Sequence, residues 1–265
     1  MLPLWACTIA LAIGSPKPKA ASKLLWARKM HQLLYNAAIC NRKVCYEKFG
    51  HSVNYLEQQN CLPAFKEVWP EYKSLGSHAL QATLKRVDLA YQSFFRGLRG
   101  KPKFKSIRHY SGWSYPDKAG WKVRTTGDNG YLELTDLKLS IQMRGKARTW
   151  GTPTTCTIVY RNGLWYASIT VECNPVRKTD ASAIGLDFGI YHAVAMSDGT
   201  LIENPKFLSK SQEKVKKASK QKRRKRAPNF RKKIKASKRW RKATKRVSRL
   251  QRKIATSRQD WTHKV

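Results

Sequence analysis

"AIGLDFGIYHAVAMSDGTLIEN", residues 183–204, places one carboxylate, Asp187, at the end of an apolar run and between two glycines. The surrounding chain has 54 Lys and Arg against 16 Asp and Glu, a formal net charge of +38. "AIGLDFG" and "HAVAMS" read as strands, Asp198-Gly199 as the turn after them, and "LIEN" as the start of a third strand. A strand end fixes the direction of a side chain, so Asp187 is the first candidate for chemistry, and the question is which partners it has.

Working outward, the 265 residues allow one large domain or two to three small ones, and 41% hydrophobic residues suffice for a core. An enzyme acting on small neutral molecules has no need of such an excess of cations, so no small-molecule substrate is expected. Self-repulsion on this scale destabilises a compact state unless a polyanion screens it. Nucleic acid is the first candidate partner and an anionic membrane surface a distant second; no membrane partner is assigned. Cys7, Cys40, Cys45, Cys61, Cys156 and Cys173 form no C-x2-C pair and none sits with His at zinc spacing, so no zinc site is assigned. Scattered thiols fit a reducing cytosol, and a cytoplasmic, nucleoid-associated prokaryotic protein is expected. The opening "MLPLWACTIALAIGS" is apolar through Ile13 but has no Lys or Arg before the run and is too short to span a bilayer. A signal peptide, an altered start and a buried strand stay open for it.

Residues from about 22 to 97 read as helical. Leu24, Ala27, Leu34, Ala38 and Cys45 fall near one face, with Gly50 as a stop. "LPAFKEVWPEYKSLGSHALQATLKRVDLAYQSFFRGLRG" gives two more helices, the second from about Ser77 to Leu98, with Leu80, Leu84, Val87, Tyr91 and Phe94 at helical spacing. After "GKPKFKS" the period changes to two. "WKVRTT", "YLELTD" and "LKLSIQM" read as strands, and "TCTIVYRNGLWYASITVEC" as a hairpin whose Asn162-Gly163 favours a tight primed turn.

From Lys206 the composition shifts, and no acid occurs between Glu213 and Asp260. The run has the composition of a disordered basic tail. The part after Pro228 argues for a helix instead. Trp240, Val247, Ile254 and Trp261 lie seven apart, with Ala243 and Leu250 filling the intervening positions. The flanking positions lack the acids a coiled coil wants, so the stripe is expected to dock on its own protein. The remaining faces carry the candidate phosphate-binding residues Lys222, Arg223, Arg224, Lys225, Arg226, Arg231, Lys232, Lys233, Arg239, Arg241, Lys242, Lys245 and Arg246. Contacts of this kind give affinity and salt sensitivity rather than sequence recognition.

A strand ending in Asp, a Gly-containing turn and a returning apolar strand resemble the opening of an RNase H-like sheet. In that fold several carboxylates hold two metal ions for phosphodiester cleavage. Two alternatives stand beside it. Asp187 as a plain turn residue is one. The other is the phosphate-binding hairpin of actin-like and Hsp70-like ATPases, which "IGLDFG" also resembles but which needs a long second half of the fold.

With these pieces in order, residues 25–265 resemble TnpB, the OrfB protein of small insertion-sequence transposons and a relative of type V CRISPR effector nucleases. "ALQATLKRVDLAYQSFFRGLRGKPKFKS" is similar to the family's helix and its "PxFK" exit. "GLDFGIYHAVAMSDGTLIENPKFL" is similar to its first nuclease motif, and "RLQRKIATSRQDWTHKV" to its basic helix and "R-x-D-x-x-H-K" ending. The resemblance implies RNA-guided, metal-dependent DNA cleavage linked to transposition. Its partners would be a guide RNA and DNA, its cofactor Mg2+, and Asp187 both a catalytic residue and the first metal ligand.

It also implies an α+β architecture with four parts. Residues 1–21 are an atypical N-terminal segment, 22–120 a helical recognition lobe, 121–180 a small antiparallel β wedge, and 181–265 the first part of an RNase H-like (RuvC-like) nuclease domain with a basic helix. Family members continue past the "HK" motif to a second-motif Glu, a zinc ribbon and a third-motif Asp. Here Asp198 reads as a turn residue, Glu203 as part of the hairpin, and Glu213 and Asp260 as flanks of the basic segment, so none matches a missing ligand. The expectation is a C-terminally truncated, catalytically incomplete nucleic-acid-binding protein. A non-catalytic RNA- or DNA-binding regulator and a decayed transposon remnant are the alternatives.

Overall fold

Apolar alternation with period two builds a seven-stranded antiparallel sheet in the computed structural model, which describes residues 5–14, 16–147, 149–173, 183–229 and 231–264. The strands are β1 (Trp5–Ile13), β2 (Gly112–Tyr115), β3 (Trp121–Arg124), β4 (Gly130–Leu134), β5 (Leu139–Arg144), β6 (Thr152–Arg161) and β7 (Leu164–Cys173), in the order β2-β6-β7-β1-β5-β4-β3. The β6–β7 hairpin turns through Asn162 and Gly163, both at positive φ (54° and 83°), as a primed turn requires and as Asn-Gly supplies at little steric cost. β1 runs the length of β7, from Trp5 opposite Cys173 to Ile13 opposite Trp165, and also pairs with β5. Of the readings open for the N-terminal segment, the buried strand is the one the fold realises: Leu11 and Ile13 are buried in the core.

Four α-helices precede most of this sheet: α1 (Pro18–Phe49), α2 (Tyr55–Asn60), α3 (Leu62–Val68) and α4 (Ser77–Phe95), with a 3-10 turn at Pro70–Ser74. The short α2 and the strand β2 are additions to the sequence reading; both are too brief to show a period. Pro18 opens α1, where its missing N–H is no loss. Gly50, left-handed at φ 63°, closes it by donating its N–H to Tyr46 O at 3.0 Å.

Leu24, Ala27, Leu34 and Ala38 of α1 and Leu80, Leu84, Val87 and Tyr91 of α4 are buried. They share one core with Trp113, Tyr115, Leu132, Ile158 and Ile169 of the sheet. Helices and β unit, which the sequence divides near residue 120, therefore form one compact unit over residues 1–178.

Several polar side chains tie the elements around this core together. Arg28 Nε donates to Tyr110 O at 2.7 Å and its Nη2 to Ile107 O. Arg86 Nη1 donates to Gly112 O at 2.7 Å, tying α4 to β2. Asn36 grips Lys105 from both sides, accepting its N–H at 2.9 Å and donating to its carbonyl at 3.0 Å, so the "KPKFKS" exit is docked on α1.

The second unit, residues 179–265, begins its described part at Ala183. It holds a three-stranded antiparallel sheet, β10-β9-β8, from β8 (Leu186–Asp187), β9 (His192–Met196) and β10 (Leu201–Glu203), then α5 (Phe207–Arg223) and α6 (Lys238–Lys264). The structure is thus α+β, with helices segregated from antiparallel sheets in sequence. Of the readings open for the basic run, tail or helix, the segment before Pro228 takes the helix, as α5. Phe207, Ser211, Val215 and Ala218 lie at helical spacing and are wholly or partly buried where α5 packs on α6.

Candidate nucleic-acid interface

The sheet holds Asp187 at the end of β8, with Leu186 opposite Met196 and Asp187 opposite Ala195. Gly185 and Ser197 extend the pairing. Gly185 N–H donates to Ser197 Oγ and Ser197 N–H to Gly185 O, each at 3.0 Å. β8 is an edge strand, and the Asp187 side chain is exposed.

The other acids among the described residues of the unit lie elsewhere. Asp198 Oδ1 accepts the Thr200 N–H at 2.8 Å, and this bond holds its carboxyl below the usual carboxylate range. Glu203 lies in β10, Glu213 pairs with Lys216 at 3.7 Å, and Asp260 with Lys264 at 2.7 Å. Among the described residues no group of three His, Cys, Asp or Glu side chains is placed to hold a metal ion. A hard divalent cation takes six or more oxygens and is fixed by converging carboxylates. One exposed aspartate does not fit that requirement, so no cleavage step follows from these residues.

The basic residues do converge. Ser237 starts α6, its Oγ accepting the Trp240 N–H at 3.1 Å. Val247 and Ile254 are buried at 8% exposure each, and Trp240, Ala243, Leu250 and Trp261 are half-buried, so the seven-residue stripe packs as its spacing predicts. Between the helices runs the loop of residues 224–237. It is closed by reciprocal backbone bonds between Asn229 and Ile234 at 3.0 and 2.8 Å, and by Ser237 N–H on Arg226 O at 3.1 Å. At this corner a cleft of about 660 Å³ is lined by Gln221, Arg224, Lys225, Arg239, Lys242, Ala243, Lys245, Arg246 and Arg249. Seven of these nine residues are cations and none is an acid.

Of the thirteen candidates, Arg224, Lys225, Arg239, Lys242, Lys245 and Arg246 thus share one cleft. Lys222 instead places its ammonium 5.4 Å from the Trp240 ring centre. Arg223 ends α5, Arg226, Arg231, Lys232 and Lys233 lie in the connecting loop, and Arg241 is on α6 away from the cleft. Arg249 was missed. The signal was present, because positions 242, 245, 246 and 249 repeat the i, i+3, i+4, i+7 spacing of one helical face.

Residues 166–265 match the OrfB_IS605 family model, described as "Probable transposase". An Escherichia coli (strain K12) protein named "Putative RNA-guided DNA endonuclease InsQ" is 28% identical over 239 residues, 88% of this chain and 56% of that protein. A Streptomyces pristinaespiralis "Putative RNA-guided DNA endonuclease" is 27% identical over 257 residues, 94% of this chain and 61% of its own length. These matches support the resemblance of the chain to the TnpB (OrfB) family. The chain spans about three fifths of the length of these two relatives. A Cas12f1 chain in complex with sgRNA and target DNA aligns at a TM-score of 0.39 and 11% identity, over 82% of this chain and 61% of that one. No helix among the described residues is long and apolar enough to cross a membrane.

Proposed function

We propose that this chain binds RNA and DNA through the cationic α5–α6 corner, and that of a two-metal cleavage site it contributes Asp187 alone. The observation that carries the reading is the cleft at that corner, where Arg224, Lys225, Arg239, Lys242, Lys245, Arg246 and Arg249 meet without an opposing acid. Such a surface neutralises phosphates and releases their counterions, which makes affinity fall steeply with salt. The names of the relatives, RNA-guided DNA endonucleases, support a guide RNA and a DNA target as the polyanions. By the family resemblance, Mg2+ is the ion that Asp187 would help to hold if further carboxylates faced it. Asp187 is not among the residues that line the basic cleft, so its replacement should leave binding intact.

Fluorescence anisotropy with a labelled duplex, repeated over a salt series, tests the binding. With six or more phosphate contacts, log K against log salt should have a slope of about −5 or steeper. Arg246→Ala together with Arg249→Ala should make it shallower by about 2. A salt-independent affinity, or an unchanged slope in the double variant, rejects the cleft as the interface. For cleavage, the chain is incubated with Mg2+, its co-purified RNA and double-stranded DNA. The DNA should remain intact, and Asp187→Ala should bind as the parent does. Cutting that Asp187→Ala abolishes would overturn the incomplete-site reading.

A further inference from the structure

α1 and α4 lie side by side with their C-terminal ends together. Arg42 Nη2 meets Asp88 Oδ1 at 3.1 Å, and its guanidinium carbon lies 5.2 Å from the Tyr91 ring centre. Beyond this point both helices carry aromatic residues that the core does not use. Tyr46 is 65% exposed, Phe49 76% and Phe95 69%. The Phe95 ring lies 5.4 Å from Phe94 and 6.1 Å from Tyr91. A cavity of about 330 Å³ opens among them, its lining including Lys43, Tyr46, Val53, Tyr91, Phe95 and Lys101. The one acid in the lining, Glu47, is paired with Lys43 at 3.7 Å. Arg96, Arg99 and Lys103 follow α4 within a few residues, all exposed.

Exposed aromatic faces beside ammonium and guanidinium groups match one partner chemistry in particular. Unpaired bases stack on the rings while their phosphates meet the cations. A duplex hides its base faces and gains nothing from the rings. An apolar protein partner would leave the surrounding cations without counter-charges.

We propose that this aromatic pocket at the joint C-terminal ends of α1 and α4 receives an unpaired nucleotide of a bound single strand. It shares no residue with the α5–α6 cleft, and it rests on the reading that the chain binds nucleic acid. Tyr46 and Phe95 supply the stacking faces, and Lys43 and Lys101 the phosphate contacts. The pocket therefore selects single-stranded over fully paired nucleic acid without selecting sequence.

The test compares a labelled oligo(U) and a labelled fully paired RNA duplex, each titrated with the full chain and with Tyr46→Ala and Phe95→Ala. Both side chains are exposed, so the variants should melt with the parent. Each should lose oligo(U) affinity by roughly five- to a hundredfold and keep duplex affinity. A 4-thiouridine probe should cross-link to the peptide containing Phe94 and Phe95. Equal losses on both probes, or none on either, overturn the pocket while leaving the basic cleft standing. A parent chain that binds neither probe overturns both readings.

Discussion

His31 is fully buried on α1, its ring stacked on Trp113 with centres 5.4 Å apart and planes 7° from parallel. Its Nδ1 lies 2.8 Å from Thr83 Oγ1. Thr83 gives its own proton to Ala79 O at 3.1 Å, so the imidazole is the donor and its proton sits on Nδ1. That leaves Nε2 as an acceptor, buried without a partner. Burial, with Arg86 adding to it, pushes the pKa down to about 3 from 6.5. The sign follows. Below pH 6.5 the unfolded chain binds a proton that the folded chain refuses, so the stability from neutral burial is complete above that pH and is lost as pH falls towards 3. Denaturant melts should lose about 1 kcal/mol per pH unit below 6 from this group, and His31→Gln should show a shallower acid slope than the parent. Equal slopes would remove His31 from the account. Asp88 is the second sensitive position, because it answers Arg42 at 3.1 Å with side-chain exposures of 10% and 7%. Removing one partner of such a pair strands the other, so Asp88→Ala should cost about 3 kcal/mol or more in the same melts. A cost no larger than that of an exposed surface change would mean that water or Gln58 takes over the Arg42 charge.

At the scale of the element, α6 separates two ways in which a basic segment can work. A disordered polycation needs its charges alone, whereas a helix must be held so that one face presents them together. Val247 and Ile254, the buried members of the stripe, hold it. Val247→Ala with Ile254→Ala leaves every Lys and Arg in place yet should weaken the hairpin by about 3 kcal/mol. Expected readouts are a loss of helical circular dichroism and a parallel loss of duplex affinity. Retained affinity in the unfolded variant would assign binding to charge alone. This element was legible because Trp240, Val247, Ile254 and Trp261 are large, apolar and seven apart in an otherwise cationic run. α5 was not, because Ala218 is its one buried residue and Ser211 and Val215, partly buried beside it, are too small and mixed to stand out from the lysines between them. The Asn162-Gly163 hairpin was legible for a local reason, as turn chemistry is written in two residues. β1 was readable as a strand but not in its place between β5 and β7, since pairing across more than a hundred residues leaves no local trace. The aromatic pocket was hidden for the opposite reason. Tyr91 and Phe94 keep helical spacing and read as core, and only packing reveals which rings the core leaves out.

For the whole molecule, a net charge of +38 sets repulsion against an apolar surface that is not covered. In the small sheet and its loops Leu186 is 55% exposed, Phe188 76%, Ile190 85%, Tyr191 87% and Leu201 55%. An exposed apolar patch next to an edge strand is a site of association, and like charge is what keeps the copies apart. Salt therefore acts on three properties at once, with different signs. Screening relieves self-repulsion, so the melting temperature should rise between about 0.02 M and about 0.3 M salt, as the Debye length falls from roughly 20 Å to below 10 Å. Over the same range nucleic-acid affinity should fall. Light scattering should rise, because the barrier between apolar faces is lowered. Phe188→Ser with Ile190→Ser leaves the net charge unchanged and should suppress the scattering without altering the salt slope of binding. If scattering persists in that variant, association runs through another surface. If nucleic acid, which neutralises the same cations, lowers the scattering of the parent chain, like charge is not what keeps the copies apart.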